Sequence, residues 1–265
     1  MTGEAATLLG PDDPAPFAID NAEGRSPFLL LGDHAGSTIP ATLGDLGLTA
    51  VDRTRHIAVD IGVRGLGREL ARRLDAPFIH QPYSRLVIDC NRDPAREDAI
   101  PVVSDGSAIA GNEGMEDAAR VARVRAIHLP YHEAIGAEID RRQAEGRDTI
   151  LLALHSFTPV LDGFARPWDA GVLYWTGRTA FAKSMLSALQ SNRSFCVGDN
   201  SPYRMDATDY TIPLHAFPRR LLYAELEIRQ DHISDVEGQR FWAGVIQRAA
   251  NAFLVRSSKP DRKQP

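Results

Sequence analysis

Side chains that could catalyse hydrolysis stand at the ends of four predicted strands. They are His34, Arg92, His155 and Glu227, each just after or near the end of a short apolar segment. In α/β proteins ligands bind at the carboxyl ends of the strands, so we expect these side chains to meet at one edge of a sheet. Two histidines and one carboxylate leave a coordination position free on zinc, which is the usual arrangement of a catalytic zinc site.

The third metal ligand is expected to be a carboxylate. Asp60, at the start of a predicted helix, is our choice, and Asp33 and Asp89 are alternatives. Asp60 could instead cap that helix, a position where aspartate is common. A carboxylate outside the metal site would act as general base, and Glu227 is placed for this role.

Arg85 and Arg92 offer planar guanidinium groups that can bind a substrate carboxylate through two hydrogen bonds. Either could also stabilise the oxyanion of a tetrahedral intermediate. A further histidine pair, His128 and His132, has the spacing of zinc ligands on one helix face. Pro130 interrupts this pair and the glutamate usual in such a motif is missing, so we place no metal there.

The composition is that of an ordinary globular protein. The chain has 265 residues, of which 43% are hydrophobic and 25% charged, and its formal net charge is −5. This acidic balance argues against non-specific nucleic-acid binding, which needs clustered basic residues. Two cysteines are too few for a disulfide scaffold or a cysteine-rich zinc site. No apolar run approaches the ~20 residues of a membrane span and the first residues do not resemble a secretory signal, so we expect a cytoplasmic protein.

Strands that alternate with helices predict an α/β protein with a largely parallel sheet. The predicted strands are Ser26–Leu31, Phe78–His80, Leu86–Ile88, Thr149–Leu154, Val172–Trp175, Ser194–Val197 and Leu221–Ile228. The predicted helices are Val59–Leu74, Met115–Gln143, which Pro130 should kink or split, Thr179–Gln190 and Phe241–Phe253. We expect residues 1–25 to form a loop-rich lead-in, residues 26–255 a single catalytic domain and residues 256–265 a flexible tail.

Four segments resemble the N-formylglutamate amidohydrolase family, within a similarity that extends from about Phe28 to Phe253. They are Asp33–Pro40, Asp60–Gly62, Tyr83–Arg92 and Leu154–Phe157. That family is similar to the zinc carboxypeptidases, and Leu226–Arg229 looks like the strand that carries their catalytic glutamate. The resemblance implies a three-layer α/β/α sandwich with a mixed, largely parallel sheet of the zinc-carboxypeptidase type.

The resemblance also implies a reaction, in which zinc-bound water hydrolyses the amide of an N-formyl or N-acyl amino acid. One zinc ion is expected per chain, with another divalent metal as the alternative. His34 and His155 would bind the metal and Glu227 would be the general base. Carboxypeptidases have a glutamate three residues after the first histidine, where this chain has Ser37. Asp60 is therefore an inferred ligand rather than a direct match.

The substrate contacts follow from the same resemblance. Arg85 would stabilise the oxyanion, while Asn91 and Arg92 would hold a substrate carboxylate. A glutamate side chain would need a second cationic group, and Arg204 is the candidate.

Two alternative functions remain open. The first is a carboxypeptidase or peptide amidase on the same scaffold, which an open cleft would favour over a closed pocket for one amino acid. The second is a metal-free protein that only binds carboxylates. The set His34, His155 and Glu227 argues against this second alternative, because a carboxylate binder needs no metal site. The expected partner is a small N-acyl amino acid, with no nucleic acid and no membrane.

Overall fold

A mixed sheet of seven strands forms the centre of the computed structural model, which describes residues 7–257. In chain order the strands are β1 (Ala18–Asp20), β2 (Phe28–Gly32), β3 (Phe78–His80), β4 (Ile150–Phe157), β5 (Ala170–Leu173), β6 (Val197–Asp199) and β7 (Leu222–Arg229). Across the sheet they lie in the order β1-β3-β2-β4-β7-β5-β6. The four central strands β3, β2, β4 and β7 are parallel, whereas β1, β5 and β6 run in the opposite direction.

Helices cover both faces of this sheet. They are α1 (Val63–Leu74), α2 (Asp117–Arg123), α3 (Leu129–Ala144), α4 (Ala180–Gln190), α5 (Thr211–Ala216) and α6 (Val236–Ser257). One apolar core joins the sheet to α1, α4 and α6, and a second core joins its other face to α3 and α5. This arrangement confirms the predicted three-layer sandwich with a mixed, largely parallel sheet.

Strand β2 shows why the sequence pattern predicts burial on both faces. Phe28 and Leu30 belong to the first core, whereas Leu29 and Leu31 belong to the second. All four side chains are fully buried. A strand covered on both faces is a continuous apolar run rather than an alternating one, so this pattern is a direct consequence of the three layers.

The predicted strand Leu86–Ile88 is wrong, because the segment forms a buried turn instead. Its three side chains are buried, which accounts for the apolar run. The carbonyl of Leu86 accepts a hydrogen bond from the Asn112 amide, and that of Val87 accepts one from Arg123. Side chains therefore satisfy backbone groups that would otherwise need a neighbouring strand.

The predicted long helix is divided, as the proline in it suggested. A π-helical turn, Val124–His128, separates α2 from α3, and Pro130 lies in the first turn of α3. A proline inside a helix removes one backbone donor and its ring crowds the preceding turn. The interruption therefore falls just before Pro130, where the helical hydrogen-bond register changes.

The structure describes most of the expected N-terminal segment but little of the expected C-terminal tail. The expected lead-in, residues 1–25, contains β1, an edge strand that the sequence pattern does not predict. Most of the expected flexible tail, residues 258–265, lies outside the described residues. The division into one catalytic domain and two terminal segments stays a prediction. Among residues 7–257, no helix is long and apolar enough to cross a membrane.

Candidate active site

Three of the predicted metal ligands meet at one edge of the central sheet. His34 follows β2, His155 lies within β4, and Asp60 lies in the loop before α1. All three are buried, and their ligand atoms lie within 4.8 Å of one another. Asp60 Oδ2 is 2.9 Å from His155 Nδ1 and 3.5 Å from His34 Nδ1. The expected convergence of distant segments is therefore present.

The backbone around Asp60 explains why its carboxylate faces the histidines. Helix α1 begins at Val63 after Gly62, which has φ 84°. A Cβ atom on Gly62 would lie 2.1 Å from the carbonyl oxygen of Ile233, so only glycine fits this close approach. Because Gly62 is the N-cap, the interpretation of Asp60 as the helix cap is wrong. Asp60 Oδ2 instead contacts His155 and accepts a long hydrogen bond from the Ser156 backbone N–H.

The two alternative carboxylates lie behind the imidazole rings. Asp89 Oδ1 is 2.7 Å from His34 Nε2, and Asp33 Oδ2 is 3.4 Å from His155 Nε2. Both rings therefore turn their Nδ1 atoms toward Asp60. Metal-binding histidines commonly contact a carboxylate through the second ring nitrogen, which fixes the ring orientation. This geometry favours Asp60 over Asp33 and Asp89 as the third ligand.

The buried carboxylates of this cluster favour a positive charge at the site. Burial acts to lower the pKa of His155, but Glu225, Asp33 and Asp60 outweigh it and raise the pKa well above its usual value. Burial acts to raise the pKa of Asp60, but His34 and His155 outweigh it and lower the pKa. The carboxylates thus favour positive charge at the place where the two rings face Asp60.

The donor set fits a tetrahedral divalent ion. Ligands about 2.0–2.1 Å from a tetrahedral zinc ion stand roughly 3.3 Å apart, close to the spacing of Asp60 Oδ2 from each imidazole. His34 Nδ1 is buried and has no hydrogen-bond partner among residues 7–257. Once deprotonated, such a nitrogen has a lone pair free to bind a metal.

Two glutamates of β7 lie beside the cluster. Glu227 is the register partner of His155, and Glu225 lies two residues earlier on the same strand face. Burial raises the pKa of Glu227 to about 7 and that of Glu225 well above the usual range. Within the described part of the chain, one carboxylate oxygen of each is buried without a hydrogen-bond partner. Sequence reasoning missed Glu225, although an acidic residue two positions from Glu227 in an apolar strand was a usable signal.

These side chains open into a cavity of about 470 Å³. Among the residues that line it are His34, Asp60, Arg85, Asn91, Arg92, His155, Tyr203, Arg204, Glu225 and Glu227. Arg85 donates to Asp89 Oδ2 over 2.7 Å and lies 3.4 Å from Asp60 Oδ1. Burial acts to lower the pKa of Arg85, but these two carboxylates outweigh it and raise the pKa, so its guanidinium stays charged at the cavity wall.

Asn91 and Arg92 reach the cavity but already have partners within the protein. The side-chain oxygen Oδ1 of Asn91 accepts hydrogen bonds from the backbone N–H groups of Tyr210 and Thr211, 2.9 and 3.0 Å away. Arg92 donates to the backbone carbonyl of Asn91 over 2.9 Å, and the Arg92 side chain is 24% exposed. Asn91 thus anchors the start of α5, and its predicted role as a substrate contact stays a prediction.

The comparisons with known proteins identify a family. A sequence model described as N-formylglutamate amidohydrolase matches residues 26–234. The chain belongs to this family. Its members are amidohydrolases by that description, and the resemblance found in the sequence is confirmed. A comparison with curated proteins gives no match.

Two solved structures extend the comparison of this N-formylglutamate amidohydrolase family member. Gene product Atu2144 from Agrobacterium tumefaciens is 34% identical with a TM-score of 0.91, and the match covers 95% of this chain and 100% of that one. An N-formylglutamate amidohydrolase from Ralstonia eutropha JMP134 is 20% identical with a TM-score of 0.63, and the match covers 93% and 100%. The second likeness shows a shared fold.

The remaining predicted contact of this family member, Arg204, is exposed on the cavity rim. Among residues 7–257 it forms no ion pair. Its neighbour Tyr203 contacts Arg166, a buried arginine that sequence reasoning did not single out. Arg166 lies close to the site only through the folding of the chain, so no local sequence signal identified it.

Proposed function

We propose that this protein is a metal-dependent hydrolase that cleaves the amide of an N-formyl or N-acyl amino acid. The observation that carries the proposal is the convergence of His34, Asp60 and His155 beside Glu227 in one cavity. Membership of the N-formylglutamate amidohydrolase family supports the same reaction class. Zinc is the expected metal, because an open site of two histidines and one carboxylate is a common catalytic zinc site.

His34, Asp60 and His155 would hold the ion, with Asp89 and Asp33 orienting the rings. The chemistry supplied by such an ion, when bound, is polarisation of the scissile carbonyl and acidification of water. His34, Asp60 and His155 all line the cavity. An N-acyl group that enters the cavity would therefore meet the site beside Glu227.

Glu227 would transfer the proton that the reaction moves. Its carboxylate takes a proton from water as the water oxygen bonds to the acyl carbon. Delivery of that proton to the amide nitrogen allows the C–N bond to break, which gives a carboxylic acid and a free amino acid. A pKa of about 7, raised by burial, suits a group that must both accept and donate a proton near neutral pH.

Arginines at the cavity wall would complete the site. Arg85 is charged and held by two carboxylates, so it is positioned to stabilise negative charge that develops on the acyl oxygen. Arg92 and Arg204 would attract the carboxylate groups of the substrate. Arg204 is exposed, and water weakens the attraction that such a charge exerts.

A second candidate is a peptide amidase, and one observation favours it. A neighbouring cavity of about 500 Å³ shares His56, Arg85 and Arg92 with the first. The two cavities are therefore adjacent, and together they would exceed the space that a single amino acid needs. This reading predicts that N-acyl dipeptides are cleaved as fast as N-acyl amino acids.

Metal content is the first test. We expect about one zinc ion per chain in the wild type purified without chelator, and little in His155→Ala, by plasma mass spectrometry. His232→Ala is the matched control, because His232 pairs with Asp169 outside the cavity and should not affect the metal. Equal metal content in all three proteins would contradict the assigned site.

A substrate panel is the second test. N-formyl and N-acyl amino acids, and the corresponding dipeptides, would be assayed by release of free amine. Preference for the amino acids supports the proposal, and dipeptides cleaved at least as fast as the amino acids support the peptide amidase. Stoichiometric zinc without turnover of either class would refute both.

A further inference from the structure

Arg166 is a buried cation without an acidic partner. Its exposed fraction is 7%, and no carboxylate in residues 7–257 forms an ion pair with it. Arg142 is also buried but pairs with Glu138 at 2.7 Å. A buried charge without a counter-ion is costly, so such residues normally pair with an acid, donate to several oxygens as Arg123 does, or serve a ligand.

Aromatic rings at the cavity hold this arginine. Its guanidinium carbon lies 4.8 Å from the centre of the Tyr203 ring and 5.7 Å from that of Phe157. Both rings line the cavity, so Arg166 lies directly behind its wall. The faces of the rings stabilise the cation in part but leave its positive field directed toward the site.

The hydrogen bond between Arg166 and Tyr203 has a fixed direction. Arg166 Nη1 lies 2.8 Å from Tyr203 Oη, and a guanidinium can only donate, so the tyrosine oxygen accepts. The hydroxyl hydrogen of Tyr203 must then point elsewhere, and it bonds to no other residue in the part of the chain that the structure describes. Burial and the charge of Glu227 raise the pKa of Tyr203, so the hydroxyl keeps its proton. It is available to a ligand in the cavity.

The loop that carries Tyr203 packs closely against the sheet. Gly171 of β5 and Gly198 of β6 are register partners, and the carbonyl oxygen of Ser201 packs against both. A Cβ atom at Gly171 would lie 2.0 Å from that oxygen, and one at Gly198 would lie 2.4 Å away. The two glycines therefore allow the loop to approach the sheet closely, and Tyr203 in that loop lines the cavity.

We propose that Arg166 is a specificity-determining residue that acts through Tyr203 to recognise a carboxylate of the substrate. This inference rests on the proposed function. Tyr203 donates its hydroxyl hydrogen to the carboxylate, and Arg166 is the positioning residue that aims the hydroxyl and polarises it. A hydrogen bond to an ionised acceptor is about twice as strong as a neutral one, so an acid is favoured over the corresponding amide.

Steady-state kinetics with N-formylglutamate test the roles of Arg166 and Tyr203 in substrate recognition. Arg166→Met and Tyr203→Phe should each raise KM at least tenfold and change kcat less. Arg166→Lys should recover part of the loss, because a lysine can still donate to the tyrosine oxygen. The double variant should be no worse than Tyr203→Phe alone, since both residues act as one unit. Arg219→Met, which removes an arginine paired with Asp140, is the control and should not change KM.

Two amide analogues of N-formylglutamate show which carboxylate of the substrate Tyr203 contacts. One carries an amide in place of the α-carboxylate, and the other in place of the side-chain carboxylate. With the amide that lacks the carboxylate contacted by Tyr203, Arg166→Met and Tyr203→Phe should have the same KM as the wild type. A defect that persists with both amides, additive losses in the double variant, or a lower Tm at unchanged KM would each overturn the inference.

Binding of glutarate, measured by calorimetry, separates this inference from the proposed reaction. Glutarate bound by the wild type and at least tenfold more weakly by Arg166→Met supports the inference even if no amide is hydrolysed. Turnover by the wild type with an unchanged KM in Arg166→Met refutes the inference alone. No turnover and no glutarate binding by the wild type would refute both.

Discussion

Glu227 and His155 are register partners on the adjacent parallel strands β7 and β4. Neighbouring strands lie about 4.7–4.9 Å apart, and register partners present their side chains on the same face of the sheet. The distance between the proposed base and one proposed metal ligand is therefore determined by backbone hydrogen bonds rather than by a loop. This rigidity suits a site in which a proton must be moved over a short and constant distance.

Replacement of Glu227 should remove turnover and leave the metal in place. We expect Glu227→Gln to lower kcat by about 10²–10⁴-fold, the usual contribution of general acid–base catalysis. Glu225→Gln is the matched variant, because Glu225 is equally buried on the same strand face. Its effect on kcat should be less than about tenfold. A larger loss in Glu225→Gln than in Glu227→Gln would transfer the role of base to Glu225.

Zinc binding should release protons. The pKa of His155 is raised well above its usual value, and that of His34 is raised by Asp89 and Asp60 against the effects of burial and Arg85. A raised pKa means that protons compete with the metal at neutral pH, so the apparent affinity should rise with pH, up to ~tenfold per unit for each proton displaced.

Calorimetric titrations with zinc in buffers of different ionisation enthalpy measure this release directly. We expect the observed enthalpy to depend on the buffer, and the apparent affinity to increase from pH 6 to pH 8. An enthalpy that is the same in all buffers would show that the two imidazoles are already neutral.

The carboxylate behind His34 should strengthen metal binding without being a ligand. Asp89→Asn removes the charge that contacts His34 Nε2 at 2.7 Å, and we expect zinc affinity to fall about 10–100-fold. Asp169→Asn, which alters a similar pair with His232 outside the site, is the control. Competition with a chromophoric chelator gives both affinities. Complete loss of zinc in Asp89→Asn but not in Asp60→Asn would make Asp89 the ligand.

Acid should destabilise the protein through two buried histidines below the site. His132 Nε2 donates to the Cys90 carbonyl, and its Nδ1 accepts from His215 Nε2 at 3.1 Å. Burial lowers the pKa of His132 to about 3 and that of His215 to about 4. Unfolding exposes them to water, where their pKa is about 6.5, so the unfolded state binds more protons as the pH falls.

Because the unfolded state binds more protons as the pH falls, acid lowers the free energy of unfolding. Each histidine should lower the free energy of unfolding by ~1.4 kcal/mol per pH unit as the pH falls from about 6.5 to about 4. Urea unfolding at several pH values would measure the slope in the wild type and in His132→Gln. The variant should be less stable at pH 7 but have a shallower slope. An unchanged slope would mean that His132 is not neutral in the folded protein.

The residue types and the local apolar pattern in the sequence were sufficient to identify most of the fold and the family, and to predict the residues of the candidate site. Strands buried on both faces appear as continuous apolar runs because two layers of helices cover the sheet, as in β2 and β4. His34, His155 and Glu227 were found because strand ends converge in such a fold. These inferences depend on periodicity and residue chemistry, which each segment carries by itself.

Only the tertiary structure distinguishes between residues of the same type that could each occupy a given position in the candidate site. Asp33, Asp60 and Asp89 are alike in the sequence, and only the orientation of the imidazoles distinguishes the carboxylate between them from those behind them. Leu86–Ile88 has the apolar pattern of a strand, yet distant side chains satisfy its backbone. Such contacts join residues far apart in the chain, and they depend on directions in space that a linear pattern does not contain.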